Sequence, residues 1–177
     1  MTRVSALVAL VASLLGLLFA SYSTFDYAQH LDRRLHDIHC SIIPGAPPTD
    51  AADACRAAMY SPYSAFLKDK YWGGIPIALF AIGAFAFIAG FAVYLAIAGQ
   101  RAPRKAIGFF GVIACTPAFA SLVMLTISIT KLGTFCLICV GIYLSSFVLA
   151  IGGLIGLMEL RGRPPTAPVG AGSPYEP

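Results

Sequence analysis

The stretch LGTFCLICVGIYLSSFVLAIGGLIGLM, residues 132–158, carries no charged side chain and is longer than the roughly 20 residues an α-helix needs to cross a hydrocarbon core. Near its start stand Cys136 and Cys139, so a hydrophobic span opens on a Cys-x-x-Cys pair. Working outward, residues 4–22, 75–99 and 106–130 are also free of charge and long enough to span. The 177-residue chain is 58% hydrophobic and 11% charged, too apolar for an ordinary soluble domain; its mean hydropathy is +0.80. Backbone polar groups facing lipid must be satisfied within each spanning element, which makes these stretches helices. The expected fold is an all-α membrane protein, a four-transmembrane-helix bundle with helices at about 4–22, 75–99, 106–130 and 134–158. One membrane domain over 1–161 follows, with a long first loop at 23–74.

The first stretch is read as a retained anchor. Its apolar run exceeds the ~7–15 residues of a signal-peptide core, and Leu18-Phe19-Ala20 is a poor cleavage site. Arg3, Arg101, Arg104, Lys105, Arg161 and Arg163 flank one set of helix ends, against Lys131 alone in the short connection before the last helix. Basic residues in short loops mark the cytoplasmic side, which makes the first loop extracytoplasmic. Its own basic residues, Arg33, Arg34, Arg56, Lys68 and Lys70, are spread over a connection too long for the rule to apply strictly. The C-terminal ending shows no retention signal, so a bacterial plasma membrane is expected, with the endoplasmic reticulum membrane as the alternative. A net charge of +4 is accounted for by anchoring to anionic lipid, and no nucleic-acid or nucleotide signature appears.

The first loop is the sizeable polar part of the chain, and structureless loops of that length are uncommon unless functional. Residues 25–39, with Asp26, His30, Arg33, Arg34 and Asp37 among Leu31, Leu35 and Ile38, have the spacing of an amphipathic helix on the membrane face. Pro44-Gly45-Ala46-Pro47-Pro48 breaks it. Asp50 is placed to cap a short helix at 51–59 that carries Cys55. Gly73 and Gly74, with Pro76, mark the entry into the second membrane helix. The tail at 162–177, rich in Pro, Gly and Ala, is expected to be disordered.

With four spans, Cys40 and Cys55 lie on the same side of the membrane as Cys136 and Cys139, whichever way the protein is inserted. Gly133 and Thr134 supply a break and a capping hydroxyl, placing Cys136 in the first turn of the last helix. At i and i+3 the two sulfurs share a face at a spacing that allows a disulfide. The helix N-terminus favours a thiolate at Cys136, and Cys139 sits about 4.5 Å further along the axis. The expectation is that Cys136 faces water and Cys139 faces lipid. Tyr143 continues the stripe and is either a hydrogen-bond donor to a quinone carbonyl or an interfacial anchor. Cys40 and Cys55 can form a stapling disulfide or a redox shuttle for the second pair. Cys115, beside Pro117, reads as an inert buried thiol. His36, His39, Cys40 and Cys55 fit no standard zinc spacing, and no metal site is expected.

Four cysteines so arranged, Ser61 six residues after Cys55 in CRAAMYSPYSAFL, and Tyr143 four after Cys139 in FCLICVGIY together resemble the vitamin K epoxide reductase family, in its bacterial quinone-linked branch. The resemblance spans about residues 5–160. It implies that Cys40 and Cys55 form the shuttle pair, that Cys55 exchanges with Cys136, and that Cys139 and Tyr143 meet a quinone of the ubiquinone, menaquinone or vitamin K type. It also implies that Ser61 is the family's loop serine near the active site and that a thioredoxin-like extracytoplasmic protein is the thiol donor. Cys40 and Cys55 stand further apart than is usual in the family. The asparagine that accompanies the tyrosine in animal members has no counterpart in residues 73–77, which favours quinone reduction over epoxide reduction. The leading expectation is therefore a membrane thiol:quinone oxidoreductase that generates disulfides. The alternatives are a vitamin K epoxide reductase and a disulfide-stapled membrane scaffold without activity.

Overall fold

The computed structural model describes residues 2–31, 61–68, 70, 73–132 and 136–162. Among them are four long helices: α1 at Arg3–Leu31, α2 at Ile77–Ala98, α3 at Arg104–Ile127 and α4 at Leu137–Arg161. Each is long and apolar enough to cross a membrane, and the protein is a four-helix membrane bundle. Val4, Leu18, Ile97, Phe119, Ile151 and Met158 are each more than half exposed, and such side chains recur around the whole circumference. A belt of this kind is too large for a water-facing surface, and lipid covers it.

Because lipid tails are as apolar as leucine, the helices gain contact through close fit, and small residues provide it. Buried Ala6, Ala9, Ser13 and Ala20 make a narrow stripe on α1, which packs along both α2 and α4. Gly16 continues the stripe, and a Cβ there would come within 2.5 Å of the Phe85 ring on α2. Gly153 on α4 does the same for Ala114 on α3, whose Cβ would lie 2.7 Å from an added methyl. α3 also packs along most of α4.

α2 and α3 behave differently. They meet near their shared connection, where Phe91 stacks on Phe110 with centroids 5.9 Å apart and reaches Phe109 at 5.7 Å. Beyond these rings they touch little, and a gap opens between them toward the other end of the bundle. At the closed end, Glu159 accepts hydrogen bonds from the Thr2 amide (2.7 Å) and hydroxyl (3.2 Å), and Arg104 donates to the Leu160 carbonyl (3.1 Å). The start of α1, the end of α4 and the α2–α3 connection therefore share one face.

Several boundaries differ from the sequence reading. α1 does not stop near residue 22; it continues unbroken through Phe25 and Asp26 to Leu31, so no separate amphipathic helix begins at 25. Nothing between Tyr22 and Leu31 is a Gly or Pro, and Thr24 bonds back to the Ala20 carbonyl (2.8 Å), keeping the helical path. Residues 32–39, the Pro-rich break at 44–48, the short helix at 51–59 and the tail from 163 lie outside the described residues. α2 begins at Ile77 because Ile75 and Pro76 are extended and form β2, antiparallel to β1 at Ala65–Phe66. Gly74 makes this approach possible: its φ is +82° and an added Cβ would sit 2.6 Å from the Phe66 carbonyl oxygen. The last helix begins at Leu137, not 134. α3 runs into a π-helical turn at Ser128–Leu132, whose wider winding carries the chain further before the next helix begins.

Candidate active site

Two segments converge on the open end of the bundle. The first is the turn at residues 61–68. Ser61 is buried, and its carbonyl accepts from the Ser64 amide (3.2 Å), the Ser64 hydroxyl (2.9 Å) and the Lys68 ammonium (2.6 Å). The Ser64 carbonyl in turn accepts the first amide of α2, from Ile77 (3.1 Å), tying this turn to the helix start. Tyr27 on α1 donates to the Gly73 carbonyl (2.8 Å) and holds the other strand of the connection.

The second segment is the start of α4. Cys136 has extended dihedrals (φ −83°, ψ 124°), and its carbonyl accepts the Val140 amide (3.0 Å), so Cys136 itself is the N-cap. Thr134, expected in that role, lies outside the described residues. Cys136 and Cys139 are both free thiols and hydrogen-bond to each other through their side chains. The Cys136 thiol is lowered to about 7, first by the hydrogen bond from the Cys139 thiol and further by the amides of Cys139 and Ile138. Those amides favour the thiolate without closing a formal cap hydrogen bond. Burial and the charge of Asp26 oppose the shift. Position in the sequence points to the helix terminus as the source of this acidity; the larger cause is the neighbouring thiol.

Both sulfurs border one cavity of about 410 Å³ that fills the gap between α2 and α3. This is the size of a small-molecule site. Cys136 is buried at 8% exposure, which corrects the expectation that it faces water while Cys139 faces lipid. Ser64 and Tyr63 of the turn and Ser23, Asp26 and Tyr27 of α1 line the cavity with it. Tyr143 and Ser61 border the same cavity, so four of the six candidate residues are brought together. Cys40 and Cys55 lie outside the described residues, as do His36 and His39. Among the described residues no cluster of metal-ligating side chains occurs.

The cavity wall is otherwise apolar, with a few fixed polar groups. On its deep side Ser121 of α3 donates to the Ser146 hydroxyl of α4 (3.0 Å), and Ser146 donates to the Ile142 carbonyl (2.8 Å). Pro117, also on the wall, has no amide to give the Ile113 carbonyl, and the Thr116 hydroxyl donates there in its place (2.7 Å). Cys115 lies just outside, donating to the Gly111 carbonyl (3.3 Å). Residue-by-residue reading missed Asp26, which is 1% exposed and borders the cavity. The available signal was a carboxylate one helical turn beyond an uninterrupted apolar run with no helix breaker between them.

A dithiol joined to a phenol across an apolar cavity at membrane depth can hold a flat, lipid-soluble molecule against a reactive sulfur. It can also exchange electrons with that molecule two at a time. No curated protein matches the chain. Residues 7–153 match the vitamin K epoxide reductase family over most of the chain, and the protein belongs to this family of membrane oxidoreductases.

Proposed function

We propose that this protein is a thiol:quinone oxidoreductase that oxidises a thioredoxin-like partner and so generates disulfides. The observation carrying this reading is the placement of the Cys136–Cys139 dithiol and Tyr143 on one cavity between membrane helices. In the proposed sequence a partner thiolate attacks the Cys40–Cys55 disulfide, and the partner leaves oxidised. The Cys55 thiolate then attacks Cys136 of the Cys136–Cys139 disulfide, releasing Cys139 and forming a Cys55–Cys136 mixed disulfide, and Cys40 attacks Cys55 to release Cys136. That transfer leaves Cys136 and Cys139 reduced and Cys40–Cys55 oxidised again. Cys139 and Cys136 next lose two electrons and two protons to the quinone, becoming a disulfide as the quinol forms. Tyr143 donates a hydrogen bond to a quinone carbonyl. Ser61, buried in the turn at 61–68, lines the cavity beside the dithiol.

The lowered Cys136 thiol supports its role as the exchanging sulfur, since a more acidic thiol leaves faster when Cys40 resolves the Cys55–Cys136 disulfide. The cluster of Arg3, Arg101, Arg104, Lys105 and Arg161 at the opposite end of the bundle supports an extracytoplasmic site, in a bacterial plasma membrane. Purified protein reconstituted with a reduced thioredoxin-like donor and a soluble quinone analogue tests the reading. Turnover is expected in the wild type and is lost on replacing any of Cys40, Cys55, Cys136 or Cys139 by Ala. Normal turnover by Cys139→Ala would overturn it.

A further inference from the structure

Forming a disulfide at Cys136–Cys139 breaks two S–H bonds, and reducing a quinone makes two O–H bonds. Both protons must therefore travel through a site that is largely apolar. Among the described residues bordering the cavity, one carboxyl group occurs, that of Asp26. It is 1% exposed and ranks with Phe85 and Ile88 among the most deeply buried side chains of the bundle. A carboxylate inside a membrane bundle is costly to keep, and such residues characteristically mark ion or proton routes. Asp26 is held rigidly, being in α1 five residues before its end and adjacent to Tyr27, whose hydroxyl is bonded to Gly73.

We propose that Asp26 takes the proton of the Cys136 thiol when the Cys136–Cys139 disulfide closes, and yields it to the reduced quinone. This rests on the thiol:quinone reading above. The Cys136 S–H breaks and its electron pair remains on sulfur, which bonds to Cys139 as two electrons pass to the quinone. The Cys136 proton moves by way of Asp26 to one quinone oxygen, and the Cys139 proton supplies the other. Asp26 ends as it began, and no further reactant is needed.

Asp26 and Cys136 border the same cavity, and the charge of Asp26 opposes loss of the Cys136 proton to water. Among the described residues, the other titratable groups bordering the cavity are Tyr27 on the same helix, Tyr63 on the turn, and Cys139 and Tyr143 on α4, with Lys68 bonded to the Ser61 carbonyl of that turn. α2 and α3 present none to the cavity among the described residues.

Asp26→Asn keeps the size and shape of the side chain and removes its ability to take a proton. In reconstituted full-length protein, quinone reduction is expected to fall on the order of a hundredfold, the usual worth of a positioned acid or base. The midpoint of Cys136 alkylation against pH is expected to move below that of the wild type, because an opposing charge has gone. A purely structural Asp26 would lower thiol reactivity and turnover together. Asp26→Glu, which restores a proton site, is expected to recover turnover in part. Wild-type turnover in Asp26→Asn, or Asp26→Glu as slow as Asp26→Asn, overturns the inference while leaving the thiol:quinone reading intact. A wild type that reduces no quinone sinks both.

Discussion

Replacing Cys139 by Ala separates two effects on Cys136 that the geometry superimposes. In the wild type the Cys139 thiol is the largest influence lowering the Cys136 thiol to about 7, and at pH 7 about half of Cys136 is thiolate. Without Cys139 the amides at the start of α4 still favour the thiolate, but burial and Asp26 still oppose it. The midpoint should then rise at least to the ordinary thiol value of about 8.5, which leaves about 3% thiolate at pH 7. The fall is about 15-fold. The sign is fixed: alkylation is lost as pH falls through the midpoint, so the variant needs more alkaline conditions. The assay follows iodoacetamide labelling of Cys136 from pH 5 to 10, with Cys40, Cys55 and Cys115 replaced by Ala. The midpoint is the quantity to read, not the rate at one pH, because a more basic thiolate is also intrinsically more nucleophilic and masks part of the loss. A midpoint that stays near 7 in Cys139→Ala would refute the reasoning and return the acidity to the helix terminus.

Further outcomes follow from the packing. Gly16→Ala should lower the melting temperature in detergent, by the ~1–3 kcal/mol typical of overpacking, because its Cβ would meet the wholly buried Phe85 ring at 2.5 Å. Gly83→Ala is the matched control: no atom lies within 4 Å of its Cβ, and its stability should hold or rise. Tyr143→Phe should cut quinone reduction by about tenfold, the loss expected for one hydrogen bond, while Cys136 alkylation stays fast. A slowed alkylation would show that the hydroxyl acts on the thiols instead. Vitamin K epoxide offered beside a simple quinone should turn over poorly, and equal rates would favour the vitamin K reaction.

The bundle was legible because each span is a charge-free run of about 20 residues or more, and a bilayer leaves such runs one conformation. The reactive pair was legible for a local reason, since three residues of helix bring Cys136 and Cys139 together whatever surrounds them. The cavity was not. It depends on α2 and α3 meeting at Phe91, Phe109 and Phe110 and parting beyond, and a long-range divergence leaves no trace in local spacing. Asp26 was misjudged for a related reason. Polar residues spaced along 25–39 look like a surface helix, and only the unbroken continuation of α1 turns Asp26 inward to the cavity. The start of α4 shifted from 134 to 137 because a π-helical turn has no reliable sequence mark. That shift moved Cys136 from the first turn to the cap.

Placing Cys136 at the cap alters how the two sulfurs divide their work. A sulfur in the first turn would share the helical face of Cys139 and look into the same lipid-level space. At the cap, in extended backbone, Cys136 lies off that helical face, while Cys139 belongs to the first turn of α4, and both border the cavity with Ser61. Under the proposed thiol:quinone reaction, exchange with a loop thiol then falls to Cys136, and contact with a hydrophobic acceptor in the gap between α2 and α3 falls to Cys139. Burial of Cys136, at 8% exposure, opposes direct attack on it by a bulky soluble partner. The proposal therefore needs a two-step relay, which is the physical reason it assigns the shuttle to a second, loop-borne pair, Cys40 and Cys55.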